Sequence, residues 1–302
     1  MASLAHSTLI ITHDHLSSSS AYVLYTLYTL YTHLLNPACL SALTLLAPIF
    51  YFVYQDYASF LNLGPGGTPS TFLGYLRITF LRLFALRNPH EPAPIPAVLR
   101  PQSGYLTPQR AAKLPKRAGV RPKVTGIAPH RQITQKGTPT NFVELSQSVR
   151  ALAAAHATRL ALGTSCFEKH GTGLFSLNPV NRTCNGEICH AHPSDGSLHL
   201  TLHPADARVA LEKCWGERHP LARGGWCTRF VPSGFVMVYA PRNAEELKVV
   251  MEIIRAAVWW VSGWALEDER IDLTAGSEEI VGGLDVLEKP LDPAGACDIC
   301  VS

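Results

Sequence analysis

Of the 26 Lys and Arg residues in the chain, none precedes Arg77. Charged residues make up only 16% of the sequence against 47% hydrophobic ones, a balance that is apolar for a soluble enzyme and points to a membrane-embedded piece. The sequence has no G-x-S-x-G, no phosphate-binding G-x-x-x-x-G-K-[ST] and no G-x-G-x-x-G. Covalent serine chemistry and nucleotide cofactors therefore lose their support. A formal charge of +3 with no basic-aromatic motif gives no case for nucleic acid. The eight cysteines are scattered, and Cys297 and Cys300 form a lone C-x-x-C without the second pair that a zinc site needs.

Read along its length, the chain divides into five parts. Residues 1–33 are low in complexity, with SSSS followed by three LYT repeats, and are expected to be disordered or an interfacial helix. Residues 34–57 are expected to anchor the chain in a membrane. Asn36-Pro37 starts a helix, no charge occurs from Ala38 to Tyr54, and an aromatic cluster lies at its far end. Residues 58–138 combine an apolar segment carrying Arg77 and Arg82, suited to the bilayer surface, with a linker rich in Pro and basic groups. A globular domain follows over 139–263, and residues 264–302 form an acidic tail expected to be flexible. Residues 77–136 hold twelve of the 26 basic groups, which favours a cytosolic domain on a single-pass endomembrane anchor, such as the endoplasmic reticulum. The sequon Asn181-Arg182-Thr183 pulls the other way.

Within the domain, a helix is expected over 142–162, a strand over 164–177, a histidine hairpin, a short helix from Pro204, a strand over 234–240 and a helix capped by Asn243 and stopped by Gly263. The fold class is α+β: a small, mostly antiparallel sheet with helices packed on one face, preceded by one N-terminal transmembrane helix.

The hairpin carries the chemistry. Side chains alternate along a strand, so with 193–196 as the turn, His190 pairs with His199 and His192 with Ser197. His190, His192, His199 and His203 then share one face, with leucines on the other. Three readings of that face are open. Imidazoles could ligate a metal, although no cysteine or carboxylate pattern completes a known site. They could move protons on an organic substrate. They could be a solvated sheet face with no chemistry. Trp215-Gly-Glu-Arg-His-Pro-Leu221 adds Glu217, Arg218 and His219, where Arg218 suits an enolate or carboxylate. Glu168 and His170 can extend the cluster. Cys189 and Cys214 are candidate nucleophiles or inert packing.

These residues resemble the fungal luciferase family. The likeness runs from about Ala47 to Val261. It includes DYASFLNLGP after the anchor, Arg131-Gln132 with Thr134-Gln135, Thr164 to His170, His190 with His192, WGERHPLA at 215–222 and YAPRNAEE at 239–246. His203 and the short PSDG turn depart from the pattern. The resemblance implies a membrane-anchored oxygenase with no metal or organic cofactor, which adds O2 to a hydroxypyrone such as 3-hydroxyhispidin. Loss of CO2 then follows through a peroxide, and light emission is not implied. On this reading His190, His192, His199 and His219 are catalytic, while Glu168, His170, Trp215, Glu217, Arg218 and Arg242 hold the substrate. The alternatives are a metal-dependent hydrolase or lyase built on the same histidines, or a membrane-tethered module that only binds a small molecule.

Overall fold

The computed structural model describes residues 21–33 and 36–266. The first twenty residues and the expected flexible tail beyond Leu266 lie outside the described residues, while Leu266 itself is buried. The chain divides into two units, one ending at Ser59 and one starting at Phe60.

In the first unit the LYT repeats are helical (α1, residues 21–33) rather than disordered. Thr26 and Thr29 donate their hydroxyls to the carbonyls of Tyr22 and Tyr25, four residues back, so these side chains join the helix ladder instead of competing with it. The next helix, α2 (Pro37–Asn62), runs past the expected end of the anchor. Asn36 caps it by accepting from the Ala38 N–H at 2.9 Å. At 26 residues it is long and apolar enough to cross a membrane.

In the second unit the segment expected to be a linker is built into the fold. It forms α3 (Phe72–Leu81), a 3-10 turn (Arg82–Phe84), α4 (Pro108–Lys113) and a two-stranded hairpin of β1 (Val124–Gly126) and β2 (His130–Gln132). Ile78, Leu81, Tyr105, Leu114 and Ile127 are buried along it. The expected boundary at residue 139 falls inside the second compact unit.

A six-stranded antiparallel sheet follows, in the order β3-β4-β5-β6-β8-β7. Its strands are β3 (Leu160–Thr164), β4 (Thr172–Ser176), β5 (Glu187–Ala191), β6 (Leu198–Thr201), β7 (Gly216–Arg218) and β8 (Phe235–Val238). The Ala-rich helix α5 (Pro139–Ala155) stops earlier than expected, and Leu160–Thr164 becomes a strand paired with β4. The expected single strand over 164–177 is instead the end of one strand, a tight loop and the next strand. Lys169 and Gly171 turn the loop at positive φ.

The sheet has two unlike faces. Leu174, Cys189, Leu198, Leu200, Val236 and Val238 form the core with Val250, Ile253, Ile254, Ala257 and Val258 of α7 (Ala244–Ser262). That helix matches its sequence signals, with Asn243 accepting from the Glu246 N–H and Gly263 closing it in the left-handed region. The opposite face bears His190 and His199, cross-strand partners as expected. It is not solvated, since both imidazoles are buried beneath the β1–β2 hairpin, α3 and the β3–β4 loop. His203 leaves this face. It caps α6 (Pro204–Glu212) by accepting from the Ala205 N–H, and it donates to the Pro101 carbonyl beside Trp259 and Trp260.

Candidate active site

The histidines are joined in a row whose direction is set at one end. Ser197 donates its hydroxyl to Asp195 at 2.6 Å, and the same carboxylate accepts the Ser197 N–H. The Ser197 oxygen is thus left to accept from His192 Nδ1 at 2.9 Å. His192 Nε2 then accepts from His199 Nδ1, and His199 Nε2 from His130 Nδ1, each at 3.0 Å. These tautomers are assigned by following donors along the network. His130 Nε2 ends the row 3.6 Å from Glu217 Oε1, and Glu217 also accepts the Tyr239 hydroxyl at 3.0 Å.

Burial keeps His192 and His199 neutral. It pushes His192 down to about 4 against the opposing pull of the Asp195 carboxylate, 3.7 Å from its Nδ1. His199 lies well below the ordinary imidazole range through burial and then through its neighbours His192 and His130. Asp195 is held below its usual value, because its bonds and proximity to His192 and Ser197 outweigh the upward push of burial.

His190 stands beside the row and is wired differently. Its Nδ1 lies 2.6 Å from Glu187 Oε1. Glu187 is held in turn by the Ser165 hydroxyl at 2.8 Å and by the N–H groups of Cys166 and Phe167 at 2.6 and 3.3 Å. A disulfide between Cys166 and Cys184, with Cα atoms 5.9 Å apart, clamps the same loop beside β5. The carboxylate thereby fixes the Nδ1–H tautomer, and Nε2 carries a lone pair. That Nε2 is buried and has no hydrogen-bond partner.

The free nitrogen faces a cavity of about 60 Å³. Glu168, His199 and His219 line it with His190, and Ile78, Leu81, Phe167, Phe230, Val231 and Phe235 supply apolar walls. Glu168 is paired with Arg131 through both carboxylate oxygens, at 3.2 and 2.5 Å. Burial pushes Glu168 up, but the Arg131 hydrogen bonds and the nearby His192 and His190 bring it down to about 2.

The same atoms bear on metal binding. Glu168, His190, His192 and His199 offer ligand atoms within 4.8 Å of one another, all buried. His190 Nε2 and His192 Nε2 lie 3.9 and 3.8 Å from Glu168 Oε1. A second group, His130, His199 and His219, has its nitrogens committed elsewhere, apart from the His130 Nε2 that faces Glu217.

Several expected site residues have other roles. His219 reaches the cavity wall, yet its Nε2 donates to the Ile127 carbonyl at 2.8 Å and its Nδ1 accepts the Leu221 N–H at 3.1 Å. Both nitrogens are spent, and burial also holds it neutral. Trp215 is a core residue 2% exposed, with its indole N–H on the Pro115 carbonyl. Arg218 binds the Ala222 carbonyl and lies in a separate groove with Glu91 and Arg223. Arg242 pairs with Glu246 at the start of α7 and reaches the Ala118 carbonyl. His170 is half-exposed and bonds the Glu168 carbonyl at the loop edge. Cys189 is packing, its thiol pushed up by burial.

Sequence reasoning missed Glu187, Asp195, His130 and Arg131. Strict alternation places Glu187 and His190 on opposite faces. A β-bulge, where Leu174 pairs with Cys189 but Phe175 with Glu187, returns them to one side. Arg131 lay within a segment already noted for its likeness to the luciferases, and that was the available signal.

The model of the Luciferase domain family matches residues 185–257, which span β5 to most of α7. The luciferase of Neonothopanus nambi is 33% identical over 227 residues, covering 70% of this chain and 82% of that protein. The chain belongs to the fungal luciferase family. The luciferases of Armillaria ostoyae and Armillaria gallica are each 31% identical, and each alignment covers 76% of this chain and 88% of the relative. No solved structure matches. The family match contains the Glu187–His190 dyad, Asp195 and His199, while Glu168, Arg131 and His130 come from outside its span.

Proposed function

We propose that the protein is a membrane-anchored oxygenase that adds O2 to an enolisable pyrone-like or phenolic metabolite, with no resident metal or organic cofactor. One observation carries the reading. His190 Nε2 is an unspent lone pair on the cavity wall, and Glu187 holds it in the basic tautomer. A carboxylate–imidazole dyad of this kind is the arrangement for general-base catalysis.

In the proposed step His190 Nε2 takes the enol proton, and Glu187 stabilises the imidazolium that forms. The electron-rich enolate gives its electrons to O2, forming a carbon–oxygen bond and a peroxide anion. The imidazolium returns the proton to the distal oxygen, so substrate plus O2 becomes a hydroperoxide and His190 is restored. Carbon dioxide loss, as the luciferase resemblance implies, would proceed from that peroxide. The apolar walls at Phe167 and Phe235 keep the enolate from water. A cavity of about 60 Å³ accommodates O2 or water but is smaller than the roughly 300 Å³ and above typical of ligand pockets. A pyrone therefore enters by displacing a wall.

The test is oxygen uptake and CO2 release by the full chain with 3-hydroxyhispidin-like pyrones under air. Turnover lost in His190→Ala is the expected result. Failure of every enolisable pyrone and catechol, or wild-type rates in His190→Ala, would sink it.

A second reading is favoured by a specific observation. Three carboxyl groups around the imidazoles, Glu168, Glu187 and Asp195, are buried, and the buried guanidinium of Arg131 pairs with the first of them. Two of the imidazoles are backed on Nδ1 by those acids, His190 directly and His192 through Ser197. This is how metal-bound histidines are commonly supported, and a divalent ion on Glu168, His190 and His192 would balance the charge, with His192 Nε2 giving up the hydrogen bond it accepts from His199. Elemental analysis of tag-free protein decides between the two. Stoichiometric metal that disappears in Glu168→Gln supports a metal-dependent enzyme, and turnover by metal-free protein supports the dyad.

The anchor we assign to α2, in an endomembrane. Its side is better argued from Cys166–Cys184 than from counted arginines. Arg117 and Arg131 are buried in the fold and are not loop charges, and a disulfide persists in an oxidising lumen. The disulfide favours the lumen, whereas the anionic leaflet that the basic groups of residues 77–136 suit is the cytosolic one. Disulfide-dependent alkylation of microsomal protein by a membrane-impermeant maleimide distinguishes the two sides.

A further inference from the structure

The second unit exposes a continuous apolar surface that the proposed chemistry does not use. On α3, Phe72, Leu73, Leu76 and Phe80 are 52%, 76%, 46% and 55% exposed, and Leu83 just beyond is 75% exposed. Trp226, on the 3-10 turn Gly225–Arg229, is 49% exposed. A chain of rings joins the two segments: Phe80 to Phe84 at 5.3 Å, Phe84 to Trp226 at 5.1 Å and Trp226 to Phe230 at 5.0 Å. Clustered large apolar groups in two converging segments are not the scattered kind that a soluble surface carries by default.

The charge on these segments has one sign. Between Asp56 and Glu91 the chain holds Arg77, Arg82 and Arg87 and no acidic residue, and residues 221–234 hold Arg223 and Arg229 and no acidic residue. Arg82, Arg223 and Arg229 are exposed. Apolar and aromatic groups rimmed by arginine match the acyl–headgroup boundary of an anionic leaflet. Along the chain α3 begins ten residues after Asn62, where the helix able to cross a membrane ends. The inner sides of the same two segments, at Ile78 and Leu81 and at Phe230 and Val231, wall the cavity that holds His190.

We propose that the outer face of α3, with Leu83 and Trp226, seats on an anionic lipid surface, so that the cavity wall facing the bilayer is the one an apolar substrate displaces. The seat itself is independent of the enzyme reading; only the loading route rests on it.

Trp226 supplies the probe, because the other four tryptophans, 215, 259, 260 and 264, are buried or half-buried and α1 and α2 contain none. The full chain is reconstituted in phosphatidylcholine vesicles, with and without phosphatidylglycerol, made with dibrominated acyl chains, and tryptophan emission is read without substrate. The seat predicts quenching of the wild type that deepens with phosphatidylglycerol, is lost in Trp226→Phe, and falls several-fold in Leu73→Glu with Leu83→Glu. Equal quenching of wild type and Trp226→Phe overturns it, as does quenching that the double variant leaves intact with circular dichroism unchanged. With a turned-over pyrone, the double variant is expected to raise KM several-fold at constant kcat. A protein without turnover removes only that last arm.

Discussion

Replacing Glu187 with Gln tests the dyad with the least disturbance of the fold. The carboxylate accepts four hydrogen bonds, two on each oxygen: Ser165 and His190 on Oε1, Cys166 and Phe167 on Oε2. Glutamine keeps the shape but has one oxygen. The two backbone N–H groups cannot reorient, so the amide oxygen stays with them and the NH2 turns toward Ser165 and His190. The serine hydroxyl can rotate to accept. His190 can accept only by moving its proton to Nε2, which removes the lone pair from the cavity. The stability cost is therefore that of weakened hydrogen bonds to a formerly charged group, about 1–3 kcal/mol. The rate cost is that of losing a general base in its correct tautomer, about 10²–10⁴ in kcat. Oxygen uptake against pyrone concentration, with thermal unfolding alongside, separates the two. A Glu187→Gln protein that is folded and within a few-fold of wild-type kcat would refute the assignment of His190 as the base.

Three further outcomes are expected. His219→Ala strands the Ile127 carbonyl and the Leu221 N–H and should cost about 1–3 kcal/mol in denaturant unfolding. Its kcat per folded molecule should stay within a few-fold of wild type, in contrast to His190→Ala. Acid should destabilise the fold above the carboxylate range. His192 has its folded value near 4 against 6.5 unfolded, so the unfolded state binds more protons in that window. Its contribution is present above pH 6.5 and is lost as pH falls toward 4, about 3 kcal/mol for this group alone, and unfolding midpoints between those pH values read it. Cys166→Ser with Cys184→Ser opens a link across a sequence separation of 18 and should cost about 3 kcal/mol by loss of chain restriction in the unfolded state. Wild-type midpoints insensitive to reductant would count against the disulfide.

The hairpin register was legible because it depends on two local facts, a four-residue turn and alternation, and both survive in the fold. Helix α7 was legible for the same reason: its cap, its stripe and its stop lie within twenty residues. What alternation cannot reveal is an inserted residue, and the bulge in β5 hid Glu187. What composition cannot reveal is which side of a segment meets the core. The stretch 58–138 reads as basic linker, yet Arg131 is buried because a carboxylate 37 residues later waits for it. Trp215, Arg218 and Arg242 were drawn into the site by sequence neighbourhood with His219 or by likeness, while partners about a hundred residues away fix two of them elsewhere.

Counting histidines on a shared face overstates how many can act. An imidazole has two nitrogens, and a buried one needs both satisfied or it bears a desolvation cost of kilocalories. His192 and His199 spend both within the row, His219 spends both on backbone groups and His203 spends both at a helix cap. On the cavity wall this leaves His190 Nε2. The row then acts as scaffold: burial keeps His192 and His199 neutral, and their rings pack against His190. On the proposed reading, the other histidines position His190 rather than act on substrate themselves.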